Sequence, residues 1–224
     1  MITTETRGDV HILKMSNGEN RFNPASVATI DSALDEVEAS EGPAAIVLTG
    51  EGKFFSNGLD LDWLDPAKPD GLFELAGAFQ RLAARVLVSP IPIIAAMNGH
   101  AFAAGGMLAL ACDARMMRAD RGYFCLPEVD INIPFTEGMS ALIQAKLMPN
   151  VAHEVMTTGR RYSGPEAVAS GIVHTCFNEE QLMPMAIAAA QALATADIPH
   201  RGGEGGEDQL VDLGPGLGDP HHRP

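Results

Sequence analysis

Two stretches of this 224-residue chain end apolar runs in residues that can aim backbone N–H groups at one point. In Phe54-Phe55-Ser56-Asn57-Gly58-Leu59-Asp60-Leu61 the Asn-Gly pair tolerates positive φ angles, so successive amides can converge there. In Asn98-Gly99-His100-Ala101-Phe102-Ala103-Ala104-Gly105-Gly106 a strand runs into small residues that begin a helix, whose first amides have no intrahelical acceptor. Together the two sets could form an oxyanion hole, which stabilises charge developing on a carbonyl oxygen. Taken singly, each is equally well an ordinary strand-to-loop turn. Two carboxylates follow, Glu128 in Leu126-Pro127-Glu128-Val129-Asp130-Ile131 and Glu137 in Pro134-Phe135-Thr136-Glu137-Gly138. A Glu after Pro is ordinarily a surface residue, and a Glu at a helix start is explained by the positive end of the helix dipole.

The elements that would carry these groups read as alternating strands and helices. Val10 to Met15 alternates as a strand, and a helix should start near Asn23-Pro24, where Val27, Ile30, Leu34 and Val37 form an apolar stripe. Ala44 to Thr49 and Ile91 to Met97 are short continuous apolar runs, expected as strands buried on both faces. Between them lies a helix from about Gly71 to Leu87. Further helices are expected over Ala103 to Cys112 and Gly138 to Leu147, with strands at Ala114 to Ala119, Tyr123 to Phe124 and Gly171 to Phe177. This alternation implies an α/β fold. From about His200 the chain turns Gly-, Pro- and acid-rich without apolar period, so residues 1–199 are expected to fold and 200–224 to form a disordered acidic tail in which His221 and His222 are incidental.

The formal charge of -14 argues against nucleic-acid or anionic-membrane partners. No apolar run approaches the roughly 18 residues of a membrane span. Three separated cysteines without C-x-x-C spacing suggest neither zinc nor redox chemistry, and a reducing, cytoplasmic setting is expected. Asp60, Asp62 and Asp65 lack the Gly and terminal Glu of an EF-hand and read as loop and capping groups.

Four ordered segments, F-S-N-G-x-D-L, P-I-I-A-A-M-N-G-H-A, G-G-M-L-A-L-A-C-D and L-P-E-V-D-I, closely resemble the successive signatures of the crotonase (enoyl-CoA hydratase/isomerase) family, and the likeness runs from about Val10 to about Ala196. Within it the chain looks most like plant-type delta-3,delta-2-enoyl-CoA isomerases. The resemblance implies a spiral of repeated ββα units followed by a helical C-terminal region, an acyl-CoA thioester substrate with coenzyme A as part of it and no separate cofactor or metal, and a homotrimer or hexamer. It puts the oxyanion donors at the amides of Leu59 and Ala104. Phe22, Ser56, Asn57, Gly58, Asp60, Leu61, Gly105 and Met107 are expected around the substrate, with Arg21 and Lys53 toward the coenzyme A phosphates.

Hydratases resembling this chain use two glutamates, one on the helix after the glycine run and one in the P-E segment. This chain has Met107 at the first position and Glu128 at the second. A thioether neither transfers a proton nor orients water, whereas one carboxylate can carry a proton between C2 and C4 of a 3-enoyl thioester. The expectation is therefore an isomerase with Glu128 as base. Glu137 is the second candidate, since some isomerases of the wider family resemble this chain in a T-E-G segment. The alternatives are a hydratase in which Glu128 and Glu137 share the work, and a catalytically weak acyl-CoA binding subunit.

Overall fold

The computed structural model describes residues 2–195, residue 69 excepted. The boundary expected at 199 and the acidic tail beyond it lie outside the described residues. The chain forms β1 (Ile2–Arg7), β2 (Val10–Met15), α1 (Pro24–Glu38), β3 (Ala45–Gly50), β4 (Phe54–Ser56), α2 (Gly71–Leu87), β5 (Ile93–Met97), β6 (His100–Phe102), α3 (Ala104–Ala111), β7 (Ala114–Arg118) and β8 (Phe124–Cys125). Then come α4 (Glu137–Lys146), α5 (Pro149–Thr158), α6 (Gly164–Ala169), β9 (Thr175–Phe177) and α7 (Glu179–Ala194).

A six-stranded sheet has the order β1-β2-β3-β5-β7-β9, and a three-stranded sheet the order β4-β6-β8. Among the described strands only β1 and β2 pair antiparallel with each other, besides an isolated antiparallel bridge from Phe124 of β8 to Tyr162. Each pass along the chain (β3-β4-α2, β5-β6-α3, β7-β8-α4) gives one strand to each sheet and one helix, which is the ββα spiral that the family resemblance implied.

The central strands of the large sheet are buried on both faces, whereas the edge strand β1 is largely exposed, and the period of two sorts the side chains into two cores. Leu13, Ile46, Leu48, Ile93, Ala95 and Met97 face the core that holds α1, α2 and α3. Val10, Ile12, Val47, Ile94 and Ala96 face the other, closed by Leu182, Ala186 and Ala190 at helical spacing on α7. Helix α1 starts where expected: Asn23 and Ser26 form a capping box, with Pro24 at the first turn. Asp113 accepts from the Ile93 amide at 2.8 Å, tying the end of α3 to the start of β5.

The strand expected over 171–177 shortens to β9. Gly171 takes φ +70°, and the amides of Ile172 and Val173 return to the Ala167 carbonyl, so these residues close α6 instead of pairing.

Candidate active site

Because β4, β6 and β8 are parallel, the segments leaving their C-terminal ends (57–60, 103–104 and 126–128) emerge side by side. Phe22 fixes the first of these. Its amide donates to the Gly58 carbonyl and its carbonyl accepts from the Asp60 amide, both at 2.8 Å. In an extended segment the intervening N–H points the opposite way, so the Leu59 amide is turned away from Phe22. Ser56, fully buried, pins the same turn by donating to the Asn20 carbonyl at 2.7 Å and accepting from the Gly58 amide at 3.2 Å.

Gly58 adopts φ +86°, and a Cβ there would stand 2.8 Å from the Ala103 Cβ and 3.3 Å from the Ala104 nitrogen. The turn and the N-terminus of α3 are therefore in contact, and only glycine fits. Ala103 precedes α3 with φ 50° and ψ -125°, a sparsely populated conformation for an L-residue. It is held there by its amide, which donates to the Cys125 carbonyl, and by its carbonyl, which accepts from Met107. Ala104 is the first helical residue, so its N–H has no intrahelical acceptor. Neither the Leu59 nor the Ala104 amide has an acceptor among the described residues. Gly105 permits the close approach that sets this up, since a Cβ would meet the Ser56 carbonyl oxygen at 2.4 Å.

A cavity of about 310 Å³ opens in front of these amides. Asn57, Leu59, Leu61, Ala104 and Glu128 all line it, so of the residues expected around the substrate it gathers these five. Leu72, Phe73 and Ala76 of α2 and Ile131, Ile133 and Met139 complete an apolar wall that the sequence reading did not anticipate. The available signal was a second apolar stripe on α2 beside the core stripe of Leu75, Phe79, Leu82 and Val86.

Glu128 is the only titratable residue among those lining the cavity. It is 5% exposed, and its Oε2 has no hydrogen-bond partner among the described residues. Burial pushes its carboxyl up to about 7. The loop after it is wound tightly: the amides of Asp130 and Ile131 return to the Pro127 carbonyl and that of Ile133 to the Glu128 carbonyl. Glu137 is not in the cavity. It is exposed at the first residue of α4, while Thr136 caps that helix and donates to Gln80 Oε1 at 2.9 Å.

The remaining expected residues are not among those lining the cavity. Met107 is 1% exposed in the main core and is not among the lining residues. Phe22 stacks on Phe79 with centroids 5.4 Å apart. Asp60 accepts from Asn23 at 2.9 Å, and Arg21 pairs with Glu19 at 2.5 Å and Asp62 at 2.6 Å, so this cation already has carboxylate partners. Lys53 is exposed, 5.4 Å over the Phe54 ring. His100 packs between Phe54 and Tyr123.

The family model described as enoyl-CoA hydratase/isomerase matches residues 5–201. Enoyl-CoA delta isomerase 2, peroxisomal, of Arabidopsis thaliana is 38% identical over 204 residues, covering 87% of this chain and 85% of that protein. Enoyl-CoA delta isomerase 3 of the same plant is 37% identical over 202 residues, with coverage of 87% and 85%. Among solved structures, a probable enoyl-CoA hydratase of Mycobacterium tuberculosis matches with a TM-score of 0.82 at 23% identity over 88% of this chain and 83% of its own, a likeness of fold.

Proposed function

Because the chain belongs to the enoyl-CoA hydratase/isomerase family, we propose that it is an enoyl-CoA isomerase that moves a double bond from position 3 to position 2 of an acyl-CoA thioester. The observation that carries this reading is the solitary carboxylate of Glu128, unpartnered at Oε2 and raised to about 7, in an otherwise apolar cavity beside two amides without acceptors.

The chemistry follows from those groups. The thioester oxygen accepts from the Leu59 and Ala104 amides, which makes the proton on C2 more acidic. Glu128 removes that proton, and the electron pair spreads through the C3–C4 double bond onto the thioester oxygen as a dienolate. The two donors then bind a full negative charge rather than a carbonyl dipole, so they favour the intermediate over the substrate. The protonated Glu128 returns its proton at C4, leaving the double bond between C2 and C3 and the carboxylate restored. A base whose carboxyl titrates near neutrality is matched to both halves of this cycle.

Water addition would require a second acid/base group, and Glu137 stands outside the cavity. Incubating a 3-enoyl-CoA and a 2-enoyl-CoA separately and following products tests the reading. Conversion of the first to the 2-enoyl isomer, with little hydration of the second, is expected. Rapid hydration of the 2-enoyl ester, or no turnover of either, would refute it. The three free cysteines fit a reducing compartment such as the cytoplasm, although the name of one Arabidopsis relative places that protein in the peroxisome. Among the described residues no helix is long and apolar enough to cross a membrane. A homotrimer or hexamer, expected from the family, is checked by sedimentation.

A further inference from the structure

The mouth of the cavity is more apolar than a water-facing rim has reason to be. Leu61, Phe73 and Ile131 line the cavity and are nevertheless 40%, 78% and 47% exposed, so they stand at its opening. Trp63, on the single helical turn that Leu61 begins, and Val129, two residues before Ile131, are exposed as well. Single exposed hydrophobic residues are ordinary, but several gathered together mark an interaction surface, and here that surface is continuous with a ligand-sized cavity. The cavity, about 310 Å³, is at the small end for a ligand site, with room for the reacting carbons and the first methylenes. A longer chain has to continue over the rim.

Resting on the isomerase reading above, we infer that the substrate's acyl chain is long and leaves the cavity across this rim, with Phe73 and Ile131 setting a preference for long-chain over short-chain thioesters. Phe73 comes from the N-terminal turn of α2 and Ile131 from the loop that holds Glu128, so the chain passes between two elements that also shape the site. A second copy of the protein is the competing occupant, and the test separates the two.

Trp63 is the only tryptophan in the chain, so its fluorescence reports occupation of the rim without any turnover. Binding of hexanoyl-CoA and dodecanoyl-CoA, both saturated and unreactive, is titrated below the micelle concentration, and kcat/KM is measured for the matching 3-enoyl esters. Each methylene removed from water contributes roughly fourfold, so even partial cover of the added methylenes should make the longer ligand at least about tenfold tighter. Phe73→Ser and Ile131→Ser, both at exposed positions, should each lower that ratio several-fold, in binding and in kcat/KM alike. Equal affinities for the two saturated ligands overturn the inference whatever the isomerase assay gives. Ratios unaffected by either substitution overturn the assignment of the rim. Loss of an oligomer in the variants, with no chain-length dependence in the parent, gives the patch to a second copy. Chain-length-dependent binding without isomerisation leaves the acyl path standing and removes the isomerase reading.

Discussion

Replacing Glu128 by Gln should make the protein slower and, at alkaline pH, relatively more stable. The carboxyl lies near 7 instead of its ordinary 4.5 because burial penalises its charged form. A carboxyl raised in the folded state binds its proton more tightly there than in the unfolded chain. Its contribution to stability is therefore favourable at low pH and is lost as pH rises from about 4.5 to about 7. The difference amounts to about 3 kcal/mol, and 5% exposure leaves little solvent screening to reduce it. Catalysis runs the other way, since a general base works only when ionised, so kcat/KM should rise with pH and level off above about 7.

The Gln variant removes the titration. Its amide is isosteric but leaves an N–H₂ without a partner, which adds a cost that does not change with pH. The measurement is thus the difference in unfolding free energy between parent and variant, by urea denaturation at several pH values from about 5 to about 8. The other carboxylates are common to both proteins and cancel. The variant should gain about 3 kcal/mol relative to the parent across that range, or roughly 6 to 12 °C in thermal midpoint for a chain of this size. In parallel kcat should fall by about 100- to 10,000-fold with substrate binding nearly intact. A flat difference would mean that the carboxyl is not held in a dry environment. Full activity in the variant would remove Glu128 as the base.

Three further substitutions probe the surrounding machinery. Glu137→Gln should cost about 0.3 to 1 kcal/mol through the helix dipole alone, and should leave kcat within about twofold, as for a surface change; a collapse of kcat would move the base to Glu137. Ala104→Pro deletes one proposed oxyanion donor at a first helical position but also crowds Ala103, whose φ of 50° and ψ of -125° lie outside the range preferred before proline, so the thermal midpoint should fall while, in the protein that remains folded, kcat drops by about 2.7 to 4 kcal/mol of barrier; unchanged turnover would take that amide out of the mechanism. Gly58→Ala places a methyl 2.8 Å from the Ala103 Cβ at φ +86°, and should cost more than about 1 kcal/mol in denaturation together with at least about tenfold in kcat as the Leu59 amide shifts; a silent substitution would show that the turn is freer than its contacts imply.

The long elements were legible because period and length both speak for them. Helix α1 buries the stripe of Val27, Ile30, Leu34 and Val37 that its spacing indicated, and β3 and β5 appear as unbroken apolar runs because both faces are covered. Of the small sheet, β8 was anticipated by the strand expected at Tyr123 to Phe124. Strands of three residues such as β4 and β6 are too short to display a period of two, and they are completed by the parallel neighbours that pair with them. Nothing in Ala103-Ala104 announces that Ala103 takes a positive φ. That conformation is imposed by the Cys125 carbonyl on one side and the start of α3 on the other. The burial of Glu128 was hidden for the same reason: a Glu after Pro looks like surface, and only the tertiary placement of α2 and of the loop after β8 encloses it.

That enclosure also bears on why one carboxylate suits this site better than two would. An ordered water needs two to four polar partners to stay in a cavity. Of the polar side chains lining this one, Asn57 already donates to Glu19 at 2.8 Å, and Thr136 donates to Gln80 and caps α4. In the proposed mechanism the two free amides would be taken by the thioester oxygen once substrate binds. A water beside Glu128 would then have the carboxylate and little else, while the methyl and methylene groups of the apolar wall would offer it nothing. Isomerisation needs no such water, because the proton taken from C2 is the one delivered to C4. A cavity that shelters one carboxylate at a cost in stability, and that provides almost nothing to position a second nucleophile, thus supports the proposed isomerisation over the addition of water.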